Sequence, residues 1–302
     1  MFQVVKEIEE YRMLTIFTPT YNRGNLLNRV YGSLKEQTVF DFEWLIVDDG
    51  SSDNTEEIVQ KWIDEAIIKI RYIRKENGGK HTAFNTGVQN AKGELFFCVD
   101  SDDFTPNTCV ESILKAWSDG KDDNIAGIVG KKTDTDGKFL CGDFPEDVTK
   151  TTMYDLAQEH QCLGEKSLVY KTDILKKYPY PEILGERFVT ECVVYDRIDA
   201  EYTMLLLDEV LTVCEYQPDG LTGTIFPTML KNPTGYKIYY KQRIDMAYTF
   251  KERLGYAVRY NAFDILSGDK KYNYHGKYRL LVVALKPLGW LLTKYYNFKK
   301  NK

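Results

Sequence analysis

Glu94-Leu-Phe-Phe-Cys-Val-Asp-Ser-Asp-Asp-Phe104 decides how the rest of the chain reads. Leu95 to Val99 is a run of strand formers, and it opens directly into Asp100, Asp102 and Asp103. Carboxylates this close repel one another unless one takes up a proton or a cation sits among them. Carboxylate oxygens suit Mg²⁺ or Mn²⁺, ions that commonly share their shell with substrate phosphates. The stretch therefore reads as a metal–diphosphate site at the carboxyl end of a central strand. The alternative is a solvated acidic turn in which the Asp102-Asp103 pair caps a helix starting near Pro106.

Working outward, Met13 to Thr18 is a short β-rich run ending in Pro19-Thr-Tyr-Asn-Arg-Gly24. Leu26, Leu27, Val30 and Leu34 then recur at helical spacing. Glu43 to Asp48 is the next strand and runs into Asp49-Gly-Ser-Ser-Asp-Asn-Thr55, followed by a helix with Glu56 and Glu57 in its first turn. Ile67 to Ile73 predicts a third strand, Glu76 to His81 a glycine-rich loop, and Thr82 to Ala91 a helix. A helix from Pro106 and a strand over 125–130 follow the acidic stretch. Strand–helix alternation with short loops predicts an α/β fold built on a doubly wound, mostly parallel sheet. Ligands of such sheets bind beyond the carboxyl ends of the strands, where the loops after Thr18, Asp48 and Val99 should converge.

Past Gly130 the pattern loosens, with a candidate hairpin at Asp136-Gly137, a helix over 190–200, and a strand pair over 204–215 broken near Asp208-Glu209. The chain beyond Asp219 reads as helical and aromatic.

The chain has 302 residues, 43% of them hydrophobic, enough for a substantial core. Its net charge of −5 conceals an asymmetry. Residues 269–302 carry nine Lys or Arg against one acid, so the other 268 residues carry −5 − 8 = −13. So acidic a body argues against a nucleic-acid partner, and the basic tail points to a local anionic one. Six scattered cysteines with no CxxC pair, and only three histidines, argue against zinc and against a disulfide framework. Reduced thiols suit the cytoplasm. Met1 to Arg12 is polar and acidic and is expected to carry no signal peptide.

Thr18-Pro-Thr-Tyr-Asn22, Asp48-Asp-Gly-Ser-Ser-Asp-Asn-Thr55, the Gly87–Gly93 approach to the strand, and Asp100-Ser-Asp-Asp103 resemble, in order and spacing, the family 2 inverting glycosyltransferases of GT-A fold. The resemblance covers roughly residues 13–215. It implies a Rossmann-like catalytic domain over 1–218, with a nucleotide-binding half at 13–130 and an acceptor half at 131–218, and a helical extension over 219–302. It also implies a nucleotide-sugar donor, a UDP-sugar or alternatively a dTDP-sugar, and a Mn²⁺ or Mg²⁺ cofactor. Pro19 and Tyr21 then wall the base pocket and Asp49 accepts the base N–H. Asp102 contacts the ribose or the metal shell, and Asp103 is the main metal ligand with Asp100 in support. Lys80 is a candidate phosphate contact, its alternative being an ordinary exposed lysine.

The chain departs from the family where many relatives carry Ala-Arg-Asn and it carries Ala83-Phe-Asn85, shifting phosphate neutralisation toward Lys80 or His81. Inversion needs a base to take the acceptor hydroxyl proton. Glu191 lies six residues before Arg197, as the family base does, with Glu186 and Asp196 as alternatives. The family's processive synthases carry a Gln-x-x-Arg-Trp motif and transmembrane helices, and this sequence shows neither. It resembles a non-processive enzyme adding one sugar to a glycan or lipid-linked saccharide in surface polysaccharide synthesis.

Arg279 to Tyr296 is apolar with basic and aromatic flanks, interrupted at Lys286-Pro287. Residues 279–302 are expected to lie in a membrane interface at the inner face of the plasma membrane. The alternative is a helix packed on the catalytic domain or on a second copy of the chain. Two rival functions stay open. A sugar-phosphate nucleotidyltransferase would want an Arg-bearing, glycine-rich loop after the first strand, and Thr18 to Gly24 lacks it. A non-catalytic nucleotide-sugar or glycan-binding scaffold would not need the intact acidic set.

Overall fold

The computed structural model describes residues 13–215 and 225–300. The amino-terminal segment, the boundary expected at 218 and the last two residues of the tail lie outside the described residues. The described chain divides into two compact units, one of residues 13–76, 86–177 and 202–215, the other of residues 77–85, 178–201 and 225–300.

The first unit holds an eight-stranded sheet. β1 (Leu14–Thr20) is buried along its whole length and pairs in parallel with β2 (Phe42–Asp48) on one side and β4 (Leu95–Cys98) on the other. β3 (Ile70–Arg74) extends the parallel set beyond β2. The remaining strands are β5 (Ile125–Asp134), β6 (Lys150–Thr151), β7 (Lys166–Lys171) and β8 (Thr203–Cys214), and the order is β3-β2-β1-β4-β7-β5-β8-β6. β7 runs antiparallel to both β4 and β5, and β6 antiparallel to β8, while β5 and β8 are parallel. The sheet is thus mixed, with its nucleotide-type half wholly parallel.

Helical periodicity explains how this sheet is covered. In α1 (Gly24–Lys35), Leu27, Val30, Tyr31 and Leu34 are buried at i, i+3, i+4 and i+7. In α2 (Thr55–Glu65), Val59 and Trp62 are buried. Tyr31 stacks on Trp62 at 4.5 Å and Trp62 on Trp44 at 5.8 Å, while the Trp44 indole N–H donates to Thr18 Oγ1 at 3.0 Å. The aromatic stack buries large apolar area, and the Trp44 indole N–H and the Tyr31 hydroxyl, which donates to Glu65, are both satisfied. Gly127 sets the β5–β7 approach: a Cβ there would meet the Val169 carbonyl oxygen at 1.9 Å.

Several expectations shift. The third strand begins at Ile70 rather than Ile67, and α3 (Lys80–Asn90) begins two residues before the predicted Thr82, so Lys80 and His81 sit in its first turn rather than in a loop. α4 (Cys109–Gly120) starts three residues after Pro106. The expected strand pair at 204–215 is a single strand, β8. Its register against β5 jumps from Gly130↔Leu207 to Lys131↔Val210, so Asp208-Glu209 bulges out of a continuous ladder instead of turning it back. The Asp136-Gly137 turn is present: Gly137 has φ +79 and Asp134 N–H donates to Lys138 O at 2.9 Å. Two short helices of this unit, α5 (Met153–Gln158) and α6 (Thr172–Lys177), flank β7.

The second unit is helical, with α7 (Cys192–Asp199), α8 (Ile225–Lys231), α9 (Pro233–Met246), α10 (Phe250–Ser267), α11 (Arg279–Ala284) and α12 (Lys286–Lys300). Tyr236, Tyr240 and Ile244 of α9 pack with Tyr260 and Phe263 of α10 and Val282 of α11. A capping box at Thr249 and Glu252 opens α10, and Gly268 at φ +63 closes it. The tail breaks at Leu285, and Pro287 stands in the first turn of α12, where its missing N–H costs nothing. Gly289 and Thr293 face α10, with the Thr293 hydroxyl donating to Ala262 O at 3.3 Å.

Asp196 and Arg243 form a buried, two-bonded pair at 2.7 and 2.8 Å that joins α7 to α9. Removing one partner strands a buried charge, at a cost of about 3–5 kcal/mol. Arg243→Met should therefore lower the urea midpoint, and the unfolding free energy extrapolated from it should fall by an amount of that order. A midpoint matching the wild type would show that the pair contributes no net stability.

Candidate functional site

The adjacent parallel strands β1, β2 and β4 end at Thr20, Asp48 and Cys98, so the loops that follow leave one edge of the sheet. Side chains join them. Asn22 takes the left-handed conformation at φ +52, which its short polar side chain tolerates. Its N–H donates to Ser51 Oγ at 2.8 Å, and its Oδ1 accepts from Ser52 N–H at 2.7 Å. Asp53 accepts from the Gly24 N–H at 3.2 Å and from the Thr55 hydroxyl at 2.5 Å. Burial works against the charge on Asp53, but the hydrogen bonds from Thr55 and Gly24 prevail and hold its carboxyl below the ordinary range.

Asp48 and Asp49 divide their duties. Asp48 accepts from Ser51 N–H at 2.7 Å and from the Tyr72 hydroxyl at 2.5 Å, which makes it a brace for the loop. Asp49 is buried and pairs with Lys75 Nζ at 2.8 Å. Pro19 is buried within β1, while Tyr21, just past the end of that strand, is 47% exposed.

In the acidic turn, Asp103 N–H donates to Asp100 O at 3.1 Å. The turn is not a helix cap: α4 starts from Thr108, and no side chain caps it. Asp102 is paired with Arg23 at 2.8 Å. Asp103, 5% exposed, meets Lys132 Nζ at 3.4 Å and accepts from the Cys214 thiol at 3.4 Å. Burial pushes the Asp103 carboxyl up to about 6; Lys132 opposes this, and Asp100 and Asp102 add to it. Phe104, paired on both sides with Val213, anchors the end of the turn to β8.

Hard carboxylate oxygens fit Mg²⁺ or Mn²⁺ by donor chemistry. Among the described residues no three acid, His or Cys groups form a closed cage. Arg23 and Lys132 already place positive charge against two of these carboxylates, Asp102 and Asp103 respectively.

Lys80 and Glu191 fall in the second unit, where Lys80 Nζ pairs with Glu191 Oε1 at 3.2 Å. The two alternatives to Glu191 have structural employment. Glu186 accepts from the N–H groups of Thr234 and Gly235 at 2.6 and 2.9 Å, capping α9, and Asp196 is locked to Arg243. Arg197 donates to the carbonyls of Tyr178 and Pro179 at 3.1 and 2.6 Å. Phe84, standing where many relatives have Arg, packs edge-on against Tyr180 at 5.2 Å, and Asn85 exchanges two hydrogen bonds with the Tyr180 backbone. His81 is buried, with its ring in edge-to-face orientation to Tyr180 and the two centroids 6.5 Å apart. Gly79 at φ +95 lies so close to Arg187 that a Cβ would fall 1.9 Å from its carbonyl oxygen.

Arg23, Lys75 and Lys132 were not singled out from sequence. Arg23 stands inside the quoted Pro19–Gly24 turn, and Lys132 follows the strand at 125–130, so a search for basic residues after strand ends would have found both.

With this geometry in hand, comparison with known proteins defines the class. Residues 15–178, more than half of the chain, match the glycosyl transferase family 2 pattern, and the chain belongs to that family. The chain is 33% identical over 139 residues to a chondroitin synthase of Pasteurella multocida, covering 45% of this chain and 14% of that protein. It is 31% identical over 124 residues to the poly(ribitol-phosphate) β-N-acetylglucosaminyltransferase TarP of Staphylococcus aureus, covering 40% and 36%. The chain thus matches well under two thirds of the length of these relatives. Residues 1–349 of S. aureus TarS, solved with UDP, superpose with a TM-score of 0.57 at 16% identity, covering 96% of this chain and 92% of that one. A mannosyltransferase of Pyrobaculum calidifontis, solved with GDP-Man and Mn²⁺, gives 0.51 at 20% identity, covering 92% and 70%. These likenesses show the GT-A fold.

The Asn22 conformation gives a local test. Asn22→Gly loses the side-chain bonds from the Ser52 N–H and hydroxyl, whereas Asn22→Val also forces a β-branched residue into the left-handed region, at about 1–2 kcal/mol. Valine should unfold at lower urea than glycine, and equal midpoints would remove the conformational argument.

Proposed function

We propose that this family 2 chain moves one sugar from a UDP-sugar, or alternatively a dTDP-sugar, to a hydroxyl of a glycan or lipid-linked saccharide, with inversion. The observation that carries the reading is the joining of three strand-end loops through Asn22–Ser51, Gly24–Asp53 and Arg23–Asp102. That joining gathers a base-reading acid and a diphosphate-facing acidic turn on one edge of a parallel sheet. TarS, solved with UDP and with UDP-GlcNAc, supports a uridine nucleotide.

In this reading the donor half runs over 13–130, the acceptor half over 131–218 and the helical extension over 219–302. Pro19 and Tyr21 flank the base, and Asp49 accepts its N–H. Asp103, with Asp102 and with Asp100 in support, would hold Mg²⁺ or Mn²⁺, whose positive charge favours departure of the diphosphate. Glu191 takes the proton of the acceptor hydroxyl as that oxygen bonds to the anomeric carbon and the bond to the diphosphate breaks. Its support is that Glu186 and Asp196 are engaged elsewhere, while Glu191 is half exposed. Lys80 is assigned to the donor phosphates. Its partly exposed pair with Glu191 is worth at most about 1 kcal/mol, so exchanging that partner for a phosphate is cheap.

The tail supports a peripheral membrane contact at the inner face of the plasma membrane. Leu280, Val283, Leu288, Leu291, Tyr295 and Phe298 are all exposed along α11 and α12. Residues 279–300 contain five basic residues and no acid. An apolar stripe with basic flanks suits an anionic lipid surface. No helix among the described residues is long and apolar enough to cross a membrane.

Asp103→Asn should abolish metal-dependent UDP binding in a calorimetric titration with Mn²⁺, and an unchanged titration would remove Asp103 from the site. Glu191→Gln should keep donor binding while transfer falls by about 10²–10⁴-fold. Wild-type turnover would move the base elsewhere. Full-length protein should float with vesicles containing anionic phospholipid, and the double variant Leu288→Ser/Leu291→Ser should not. If both float alike, or if the pair only changes a monomer–dimer equilibrium, the stripe serves something other than lipid.

A further inference from the structure

We infer that Cys141 and Cys162 form a redox site, a buried dithiol that a small-molecule disulfide converts into an intrachain disulfide, clipping together the two ends of the segment that carries β6 and α5. The inference goes beyond the proposed reaction and does not depend on it.

Three observations converge. First, the backbone brings the two cysteines to one face. Cys141 pairs with Gly164 across an antiparallel bridge, with the Glu165 N–H donating to Leu140 O and the Gly142 N–H to Leu163 O, both at 3.0 Å. In that register residue 162 stands two places from Gly164, so its side chain shares a face with that of Cys141 as a diagonal neighbour. Glycines let the two stretches close up. A Cβ on Gly164, at φ +99, would fall 2.0 Å from Leu140 O, and one on Gly142 would lie 3.4 Å from Cys162 Cα. Second, the sulfurs meet. The Cys162 thiol donates to Gly142 O at 3.1 Å, which turns it toward the stretch that bears Cys141. Burial raises the Cys162 thiol, Lys166 opposes this, and the Cys141 thiol, in hydrogen-bond contact with it, adds to the rise. Third, two ammonium groups stand beside the pair. Lys166 Nζ donates to Cys162 O at 2.7 Å and to Gly164 O at 3.2 Å. Lys131 of β5, paired with Asp208, brings a second positive charge near both thiols. Cations favour the thiolate, the form that carries out disulfide exchange.

The exchange balances in two steps. The Cys141 thiolate attacks one sulfur of the small disulfide, whose S–S bond breaks and releases a first thiolate. The Cys162 thiolate then attacks the Cys141 sulfur and expels the second. Two protein thiols are oxidised, one small disulfide is reduced to two thiols, and the two protons pass to the departing thiolates. Cys141 reacts first because it is 9% exposed against 1% for Cys162. The second step is intramolecular, so proximity offsets the raised Cys162 thiol. The new bond closes a loop over 141–162. Within it β6 forms the edge of the sheet against β8, and α5 buries Tyr154 and Leu156. Restricting that loop in the unfolded chain favours the folded one.

The test treats the folded full chain, at low concentration, with oxidised glutathione, then alkylates it in denaturant and maps the cysteines by mass spectrometry. Free thiols should fall from six to four per chain, with the Cys141 and Cys162 peptides joined and no cross-linked species on a non-reducing gel. Dithiothreitol should restore all six. The urea midpoint should rise on oxidation and return on reduction. Cys162→Ser should stall with one glutathione on Cys141 and gain no stability, and Cys162→Ala stands in if the serine variant does not fold. Both cysteines remaining free, each carrying its own glutathione, or joining only in urea overturns the inference. So does loss of two thiols from other cysteines, or an oxidised chain whose urea midpoint does not rise.

Discussion

Carboxylates crowded at the carboxyl edge of three adjacent parallel strands impose the constraint that this structure satisfies. Burying an acid without a partner is costly, so each one that matters here has an assigned companion. Asp48 is held by Ser51 and Tyr72, Asp49 by Lys75, Asp102 by Arg23, and Asp103 by Lys132 and Cys214. These companions come from different elements, so the acidic edge also ties the loops around it. A site assembled this way is preorganised before any substrate is present, because its charges are already solvated by protein.

The apolar layers make that edge possible. β1 is buried throughout, and the Tyr31–Trp62–Trp44 stack fills the space beneath α1 and α2. With the strand bodies committed to the core, polar chemistry is confined to the residues just past their ends. The same economy appears in the second unit. A tyrosine-rich core and the Asp196–Arg243 pair hold its helices, Glu186 caps α9, and Glu191 is left as the half-exposed acid beside Lys80.

Much of this was legible in sequence because it is local. The strand formers of β1, β2 and β4 and the turn residues behind them follow a short-range pattern, and so does the family resemblance that 15–178 bears out. What escaped is long-range. Arg23 meets Asp102 across 79 positions and Lys132 meets Asp103 across 29, and no local pattern reports such pairings. The insertion of antiparallel β7 between β4 and β5 is likewise a matter of register, as is the bulge that carries β8 past Asp208 and Glu209 as one strand. The tail was legible as amphipathic, but only the structure shows that Gly289 and Thr293 form its inward face.

The most direct measurement of the central claim is a crystal structure of the chain with UDP and Mn²⁺, with the metal located by its anomalous signal. The account predicts the uracil beside Asp49 and Tyr21, and a Mn²⁺ peak bonded to Asp103 and to oxygens of the diphosphate. UDP bound away from the edge formed by β1, β2 and β4, or a diphosphate there with Mn²⁺ bonded to neither Asp102 nor Asp103, would contradict it.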